Sequence, residues 1–239
     1  MRIEEQAGWI LHARPYRETS LLIEGWSREH GRIGLVARGV RKEKPRQPRA
    51  LLQPLVPLSL GWSGHGELVT LTALDARGQP PRLVGDALVC AIYVNELVMR
   101  LVPRHDALPD LFDAYEETLQ HLATSPARAW PLRRFERDLL AETGYGLVCD
   151  SEADTGEAID PEREYIYIPE HGAVPYLRQP NVLRLRGSAL LALADDVVPD
   201  AQDLTSLRRL MRALITHQLG GGSLRSWSVL AGSSPGAGS

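Results

Sequence analysis

The sequence has few cysteines and almost no lysine. Its two cysteines, Cys90 and Cys149, exclude a disulfide framework and a four-cysteine zinc site built from this chain alone, so we expect two reduced thiols. Of the 27 basic residues, only Lys42 and Lys44 are lysines. Neither follows a glycine, which excludes a phosphate-binding P-loop, and their basic, proline-containing surroundings do not favour a Schiff-base lysine.

Long apolar runs are absent as well. The most hydrophobic stretch, residues 87–99, is interrupted by polar side chains and is shorter than the roughly 20 residues that a bilayer span requires. Residues 1–8 are too polar for the apolar block of a secretory signal. We therefore expect a cytoplasmic protein without a membrane anchor.

No group of residues has the spacing of a catalytic or metal site. None of the seven histidines is paired at helical metal-ligand spacing, and the two Gly-Trp-Ser sequences lack the second glycine of a nucleophile elbow. The acidic residues of segment 150–160 are more typical of a charged loop than of a catalytic carboxylate pair. We predict no catalytic residue, no metal, no cofactor and no enzymatic activity.

Positive charge is concentrated near the start of the chain. Residues 1–80 contain 12 basic and 8 acidic residues, whereas the remainder contains 15 and 22, which makes the first part +4 and the rest −7. Within residues 32–49, seven basic residues accompany a single acid, Glu43. Such a cluster in a chain of net charge −3 favours contact with a polyanion, and we predict nucleic acid.

Four aromatic residues, Trp9, Tyr16, Trp26 and Trp62, lie in the same part of the chain. OB-folds bind single strands by combining aromatic stacking platforms with a cationic groove. A small barrel also needs large side chains in its core, so both interpretations of these aromatic residues stay open.

The hydrophobic pattern predicts an α+β protein. Short apolar runs separated by turn residues predict five strands and no helix within residues 9–74, which favours a five-stranded OB-fold barrel. Helical spacing then predicts a mainly α-helical domain, with a first helix so uniformly apolar that we expect it at the centre of a bundle. Gly144 is the expected left-handed end of a third helix, and a short hairpin follows.

We assign residues 1–79 to a nucleic-acid-binding OB-fold domain, 80–231 to a helical domain with a loop and hairpin insertion at about 147–181, and 232–239 to a flexible tail.

Several segments resemble the RecO family, the recombination mediators of bacterial DNA repair, and the resemblance covers nearly the whole chain. The segments are 9–20 (WILHARPYRETS), 31–41 (GRIGLVARGVR), 52–54 (LQP), 93–97 (YVNEL), 132–136 (LRRFE), 144–146 (GYG), 219–221 (LGG) and 224–226 (LRS). Each segment alone is weakly specific, but their order and spacing together are specific.

The resemblance implies a protein that binds single- and double-stranded DNA, anneals complementary strands and breaks no bond. It also implies work with RecR to displace single-stranded-DNA-binding protein, so that RecA loads on the exposed strand, and hence a nucleoid-associated location. Many members carry a four-cysteine zinc module after the Gly-Tyr-Gly segment, where this chain has only Cys149. The zinc site is not carried over, and we expect the acidic loop and hairpin there to be held by packing alone.

Charge and resemblance together predict which residues contact DNA phosphates. The predicted residues are Arg14, Arg17, Arg32, Arg38, Arg41, Lys42, Lys44, Arg46 and Arg49.

The family's capture of the acidic, aromatic-ended tail of single-stranded-DNA-binding protein requires arginines beside an apolar slot. We predict this partner site on the third helix, with Arg133, Arg134 and Arg137 beside Phe135. A buried Phe135 with solvated arginines is the alternative, and the next candidate is the face with Arg208, Arg209 and Arg212. For the whole protein, the alternatives are an OB-fold protein-interaction adaptor and an RNA-binding protein without annealing activity.

Overall fold

The chain divides into two compact units, Met1–Thr124 and Ser125–Ser239. The computed structural model describes residues 2–43, 47–180 and 182–232. Lys44, Arg46 and the predicted tail beyond residue 232 lie outside the described residues.

Five strands of the first unit form a closed barrel. They are β1 (Arg2–Tyr16), β2 (Ser20–Ser27), β3 (Gly31–Ala37), β4 (Pro57–Ser63) and β5 (Leu68–Ala76), with one turn of 3-10 helix at Arg49–Leu51. Around the barrel the order is β1-β2-β3-β5-β4, and β4 pairs with β1 to close it. Only β3 and β5 are parallel among these neighbours. A small five-stranded barrel is the OB-fold architecture, so the predicted fold class is confirmed.

The barrel interior is filled by the alternating apolar residues of its strands. Ile10, Ile23, Leu35, Leu58 and Leu60 are all essentially inaccessible. At the β3–β5 contact the two backbones approach so closely that a Cβ atom on Gly34 would lie 2.6 Å from the carbonyl oxygen of Glu67. Glycine is therefore required at this position of β3.

Two helices complete the first unit, α1 (Asp86–Leu101) and α2 (Pro109–Thr124). The expectation that the first helix lies at the centre of a bundle was wrong, because α1 packs against β1 and α2 and leaves Ile92 half-exposed. On α2, Phe112 and Tyr115 each meet the Trp26 ring edge to face at 5.2 Å. The uniform apolarity of α1 thus reflects packing on a barrel and one neighbouring helix.

The second unit combines helices with a small sheet. Its elements are α3 (Ala129–Glu142), β6 (Glu164–Ile168), β7 (Gly172–Pro175), β8 (Arg184–Arg186), α4 (Gly187–Ala194), α5 (Ala201–Gln218) and α6 (Ser226–Gly232). The sheet order is β7-β6-β8, and the predicted hairpin is its β6–β7 pair. Gly144 has the expected positive φ of 88° after α3. The sequence pattern did not indicate β8 or α6, because both are too short to establish a period.

Hydrogen bonds as well as packing hold the acidic loop of the second unit, which corrects the expectation of packing alone. The Glu152 side chain is buried and accepts a hydrogen bond of 2.9 Å from the Thr155 hydroxyl and one of 3.4 Å from the Tyr165 hydroxyl. The backbone N–H of Ala153 donates to the carbonyl of Ala173 on β7 at 2.8 Å. A buried carboxylate with these donors connects the loop to the hairpin.

Candidate nucleic-acid interface

Two loops of the barrel lie side by side. The β1–β2 turn begins at Arg17, whose φ of 54° is in the left-handed region, and the second loop follows β3 from Arg38. Arg41 connects the two, because its backbone N–H donates to the Thr19 carbonyl at 3.0 Å and its guanidinium donates to the Arg17 carbonyl at 3.4 Å. Residues distant in sequence therefore form one surface.

A groove of about 930 Å³ opens between these loops and the start of β5. Arg17, Arg38 and Lys42 line it, together with one acid, Glu18. All three basic side chains are exposed, and none forms an ion pair with another described residue. Cations with no ion-pair partner among the described residues attract a polyanion to an open groove, since phosphate contact then releases condensed counterions without breaking an ion pair.

Apart from Arg32, the remaining predicted phosphate contacts divide into three groups. Arg41 is exposed beside the groove, whereas Arg14 on β1 and Arg49 in the 3-10 turn are exposed but do not line it. Lys44 and Arg46 lie outside the described residues. The DNA-contacting role of the exposed residues stays a prediction.

Arg32 does not fit the predicted set, and the reason is its burial. Its guanidinium donates to the carbonyls of Met99 at 2.7 Å and Val102 at 2.6 Å, at the end of α1, and pairs with Glu24 at 2.8 Å. Only 11% of its side chain is exposed. Arg32 therefore satisfies orphan carbonyls at a helix C-terminus and is not available to a phosphate.

The four aromatic residues also differ in burial. Trp9, Trp26 and Trp62 are buried in the first unit, so the core interpretation is correct for them. Tyr16, at the end of β1, is half-buried and lines the groove.

The predicted slot for an acidic tail on α3 is not present. Phe135 is 1% exposed, and Arg133 is buried in an ion pair with Glu136 one turn along the helix. Arg134 and Arg137 both pair with Asp196, at 2.8 and 3.2 Å. These arginines neutralise acids of their own unit, and the apolar ring between them is core.

The groove also contains residues that the charge pattern did not indicate. Val36, Leu68 and Thr70, from the paired strands β3 and β5, supply an uncharged part of its lining. Leu68 is 45% exposed at the first position of β5. An isolated leucine at a strand end has no sequence signature, so only the β3–β5 pairing identifies it.

Among residues 2–43, 47–180 and 182–232, no group of three or more metal-ligating side chains comes together. Both cysteines are buried, and burial raises the pKa of the Cys149 thiol to about 12, which disfavours the thiolate that a metal would require.

We expect chelation to leave the stability of the protein unchanged. A chelator should not shift the thermal unfolding midpoint, since hydrogen bonds around Glu152 hold the loop that a zinc module would otherwise organise. The measurement is thermal unfolding with and without chelator, supported by elemental analysis. One equivalent of zinc, or a lowered midpoint with chelator, would contradict this prediction.

No helix in the described part of the chain is both long and apolar enough to cross a membrane.

The first unit combines a closed five-stranded barrel with an exposed groove lined by cations. These features define the class of the protein, an OB-fold protein with a basic surface groove.

Family models described as "Recombination protein O N terminal" and "Recombination protein O C terminal" match residues 1–79 and 82–228. The chain is 47% identical over 233 residues to the DNA repair protein RecO of Stenotrophomonas maltophilia strain K279a, covering 96% of this chain and 97% of the relative. It is 43% identical over 234 residues to the protein of the same name from Xanthomonas oryzae pv. oryzae strain PXO99A, with the same coverage of both chains. The chain belongs to the RecO family of DNA repair proteins.

Proposed function

We propose that this protein binds single- and double-stranded DNA through the barrel groove and anneals complementary strands. The observation that carries the proposal is a set of three exposed cations, Arg17, Arg38 and Lys42, that form no ion pair with another described residue and line an open groove on an OB-fold barrel. Annealing requires phosphate repulsion to be reduced while base edges stay accessible, and arginine and lysine side chains on loops do this by contacting backbone oxygens.

In this proposal the protein is a non-enzymatic mediator. Together with RecR, it helps RecA to load on strands coated with single-stranded-DNA-binding protein, at the nucleoid in the cytoplasm. Membership of the RecO family supports this role. No covalent bond is made or broken, since annealing forms only hydrogen bonds and stacking contacts between strands whose phosphate repulsion has been reduced.

The experiment is annealing of two complementary labelled oligonucleotides, followed by fluorescence, with wild-type protein and the Arg38→Glu/Lys42→Glu variant. We expect the wild type to accelerate annealing and the variant to lose most of that acceleration. Arg2→Glu/Arg82→Glu is the control, because it makes the same charge change at exposed residues that do not line the groove. Arg2 forms only a solvent-exposed ion pair, with Glu4 at 2.6 Å, and such pairs contribute little to stability. Absence of both DNA binding and acceleration would favour the adaptor, and preferential binding of an RNA strand would favour the RNA-binding alternative. Binding of DNA by the wild type without acceleration would contradict the annealing activity.

For the acidic tail of single-stranded-DNA-binding protein, we propose the arginine face of α5. Arg208, Arg209 and Arg212 are exposed on this helix and form no ion pair with another described residue. The Arg212 guanidinium lies 4.6 Å from the centroid of the Trp227 ring, which holds it in place by a cation–π contact. Arg212, held in this way, and its exposed neighbours Arg208 and Arg209 suit the carboxylates of an acidic peptide.

Arg208→Glu/Arg209→Glu is expected to weaken binding of an isolated acidic peptide with a terminal phenylalanine by about tenfold or more, since two charge-assisted contacts become repulsive. Fluorescence polarisation of the labelled peptide measures the effect. The Arg38→Glu/Lys42→Glu variant should bind the peptide normally, and equal affinity of all three proteins would place the tail elsewhere.

A further inference from the structure

The accessible aromatic ring in the DNA groove is Tyr16, the last residue of β1. It forms the final cross-strand pair of the β1–β2 hairpin, opposite Ser20. Its ring is half-buried, and its hydroxyl makes no hydrogen bond to another described residue. At the groove, the Tyr16 hydroxyl therefore has no hydrogen-bond partner among the described residues, unlike the indole N–H of Trp9, which donates to Glu116 at 2.9 Å.

The guanidinium of the exposed Arg17 side chain lies next to the Tyr16 ring. The Arg17 guanidinium carbon is 5.2 Å from the centroid of the Tyr16 ring, a cation–π distance. Arg17 is exposed, and its backbone has a φ of 54° at the start of the β1–β2 turn. Exposed cation–π contacts are weak, so a nucleobase can replace the guanidinium on the ring.

The rest of the groove lining contains both apolar and positively charged side chains. Leu68 and Val36 supply apolar lining, while Arg38 and Lys42 supply positive charge. A site that bound only phosphates would gain nothing from apolar lining. A single strand, in contrast, offers unstacked base faces together with phosphates, whereas a duplex keeps its base faces stacked inside.

We propose that Tyr16 is a base-stacking platform that makes the groove prefer single strands. One base stacks on the ring in place of the Arg17 guanidinium, and Arg17 then contacts an adjacent phosphate. This inference rests on the proposed function, because it assigns a base-binding role within the same groove.

The test pairs protein variants with two oligonucleotides of equal length, an all-thymidine strand and a fully abasic strand with the same number of phosphates. Tyr16→Ala should lower the affinity for the thymidine strand by about tenfold, as loss of stacking on one base implies, and leave the affinity for the abasic strand unchanged. Tyr16→Phe keeps the aromatic face and should bind both strands like the wild type. If Tyr16→Ala fails to fold, Tyr16→Leu replaces it, because leucine keeps the side-chain bulk without an aromatic face.

The slope of affinity against salt gives a second readout. Tyr16→Ala should leave that slope unchanged, because stacking releases no counterion, whereas Arg38→Glu/Lys42→Glu should flatten it. Equal losses on both oligonucleotides would show that Tyr16 acts through the fold and would overturn the inference. Normal binding by Tyr16→Ala together with weak binding by the charge variant would overturn the stacking role alone and leave the proposed function standing. Normal binding by both variants would overturn the groove as the DNA site.

Discussion

Replacing Arg38 and Lys42 with glutamate is expected to lower the affinity for single-stranded DNA by about 25-fold or more at 0.1 M salt. Each phosphate contact on a single strand contributes about 0.7 to the log-log salt slope, which amounts to roughly fivefold per contact at 0.1 M relative to 1 M salt. Reversal of the charges adds repulsion to the loss of two contacts. The slope should also become shallower by about 1.4.

Fluorescence polarisation across a salt series measures both quantities. The Arg2→Glu/Arg82→Glu control separates a local effect from a change in net charge, and thermal unfolding should be the same for all three proteins because the four residues are exposed. If the control loses as much affinity as the groove variant, long-range attraction accounts for the binding and the groove does not.

Arg32→Ala is expected to destabilise the first unit by about 3 kcal/mol, although the same residue was predicted to contact DNA. The substitution removes the donor to the carbonyls of Met99 and Val102 and leaves a cavity between β3 and α1. Glu24 keeps a partner, because Arg104 pairs with it at 2.5 Å, so the loss stays at the lower end of the range for a broken buried ion pair.

Urea unfolding followed by tryptophan fluorescence measures this loss. Arg49→Ala is the control, since Arg49 is exposed and forms no ion pair with another described residue, and its effect should stay within about 0.5 kcal/mol. A fully stable Arg32→Ala protein with weakened DNA binding would return Arg32 to the interface.

The roles of individual arginines could not be predicted from the sequence, because they depend on burial and on long-range contacts. Arg32 and Arg38 are six positions apart in the same basic run, yet Arg32 is buried and bonded to the end of α1 while Arg38 is exposed at the groove. Arg133 on α3 was likewise predicted to bind a partner but is buried in an ion pair with Glu136. A charge count treats these residues alike. The carbonyls that bind Arg32 lie 67 and 70 positions further along the chain, and the count does not show that Arg133 and Glu136 are buried.

Local patterns were sufficient for the architecture. Turn residues between short apolar runs predicted the five barrel strands, and helical periodicity together with Gly144 predicted the long helices, because strand and helix periods and glycine conformations depend on near neighbours along the chain. The joining of the β1–β2 turn to the loop after β3, and the contribution of Leu68 to the groove, depend on long-range pairing instead. Those contacts set which cations face solvent and which aromatic ring stays accessible, since burial is a property of the packed barrel and is not encoded in any one segment.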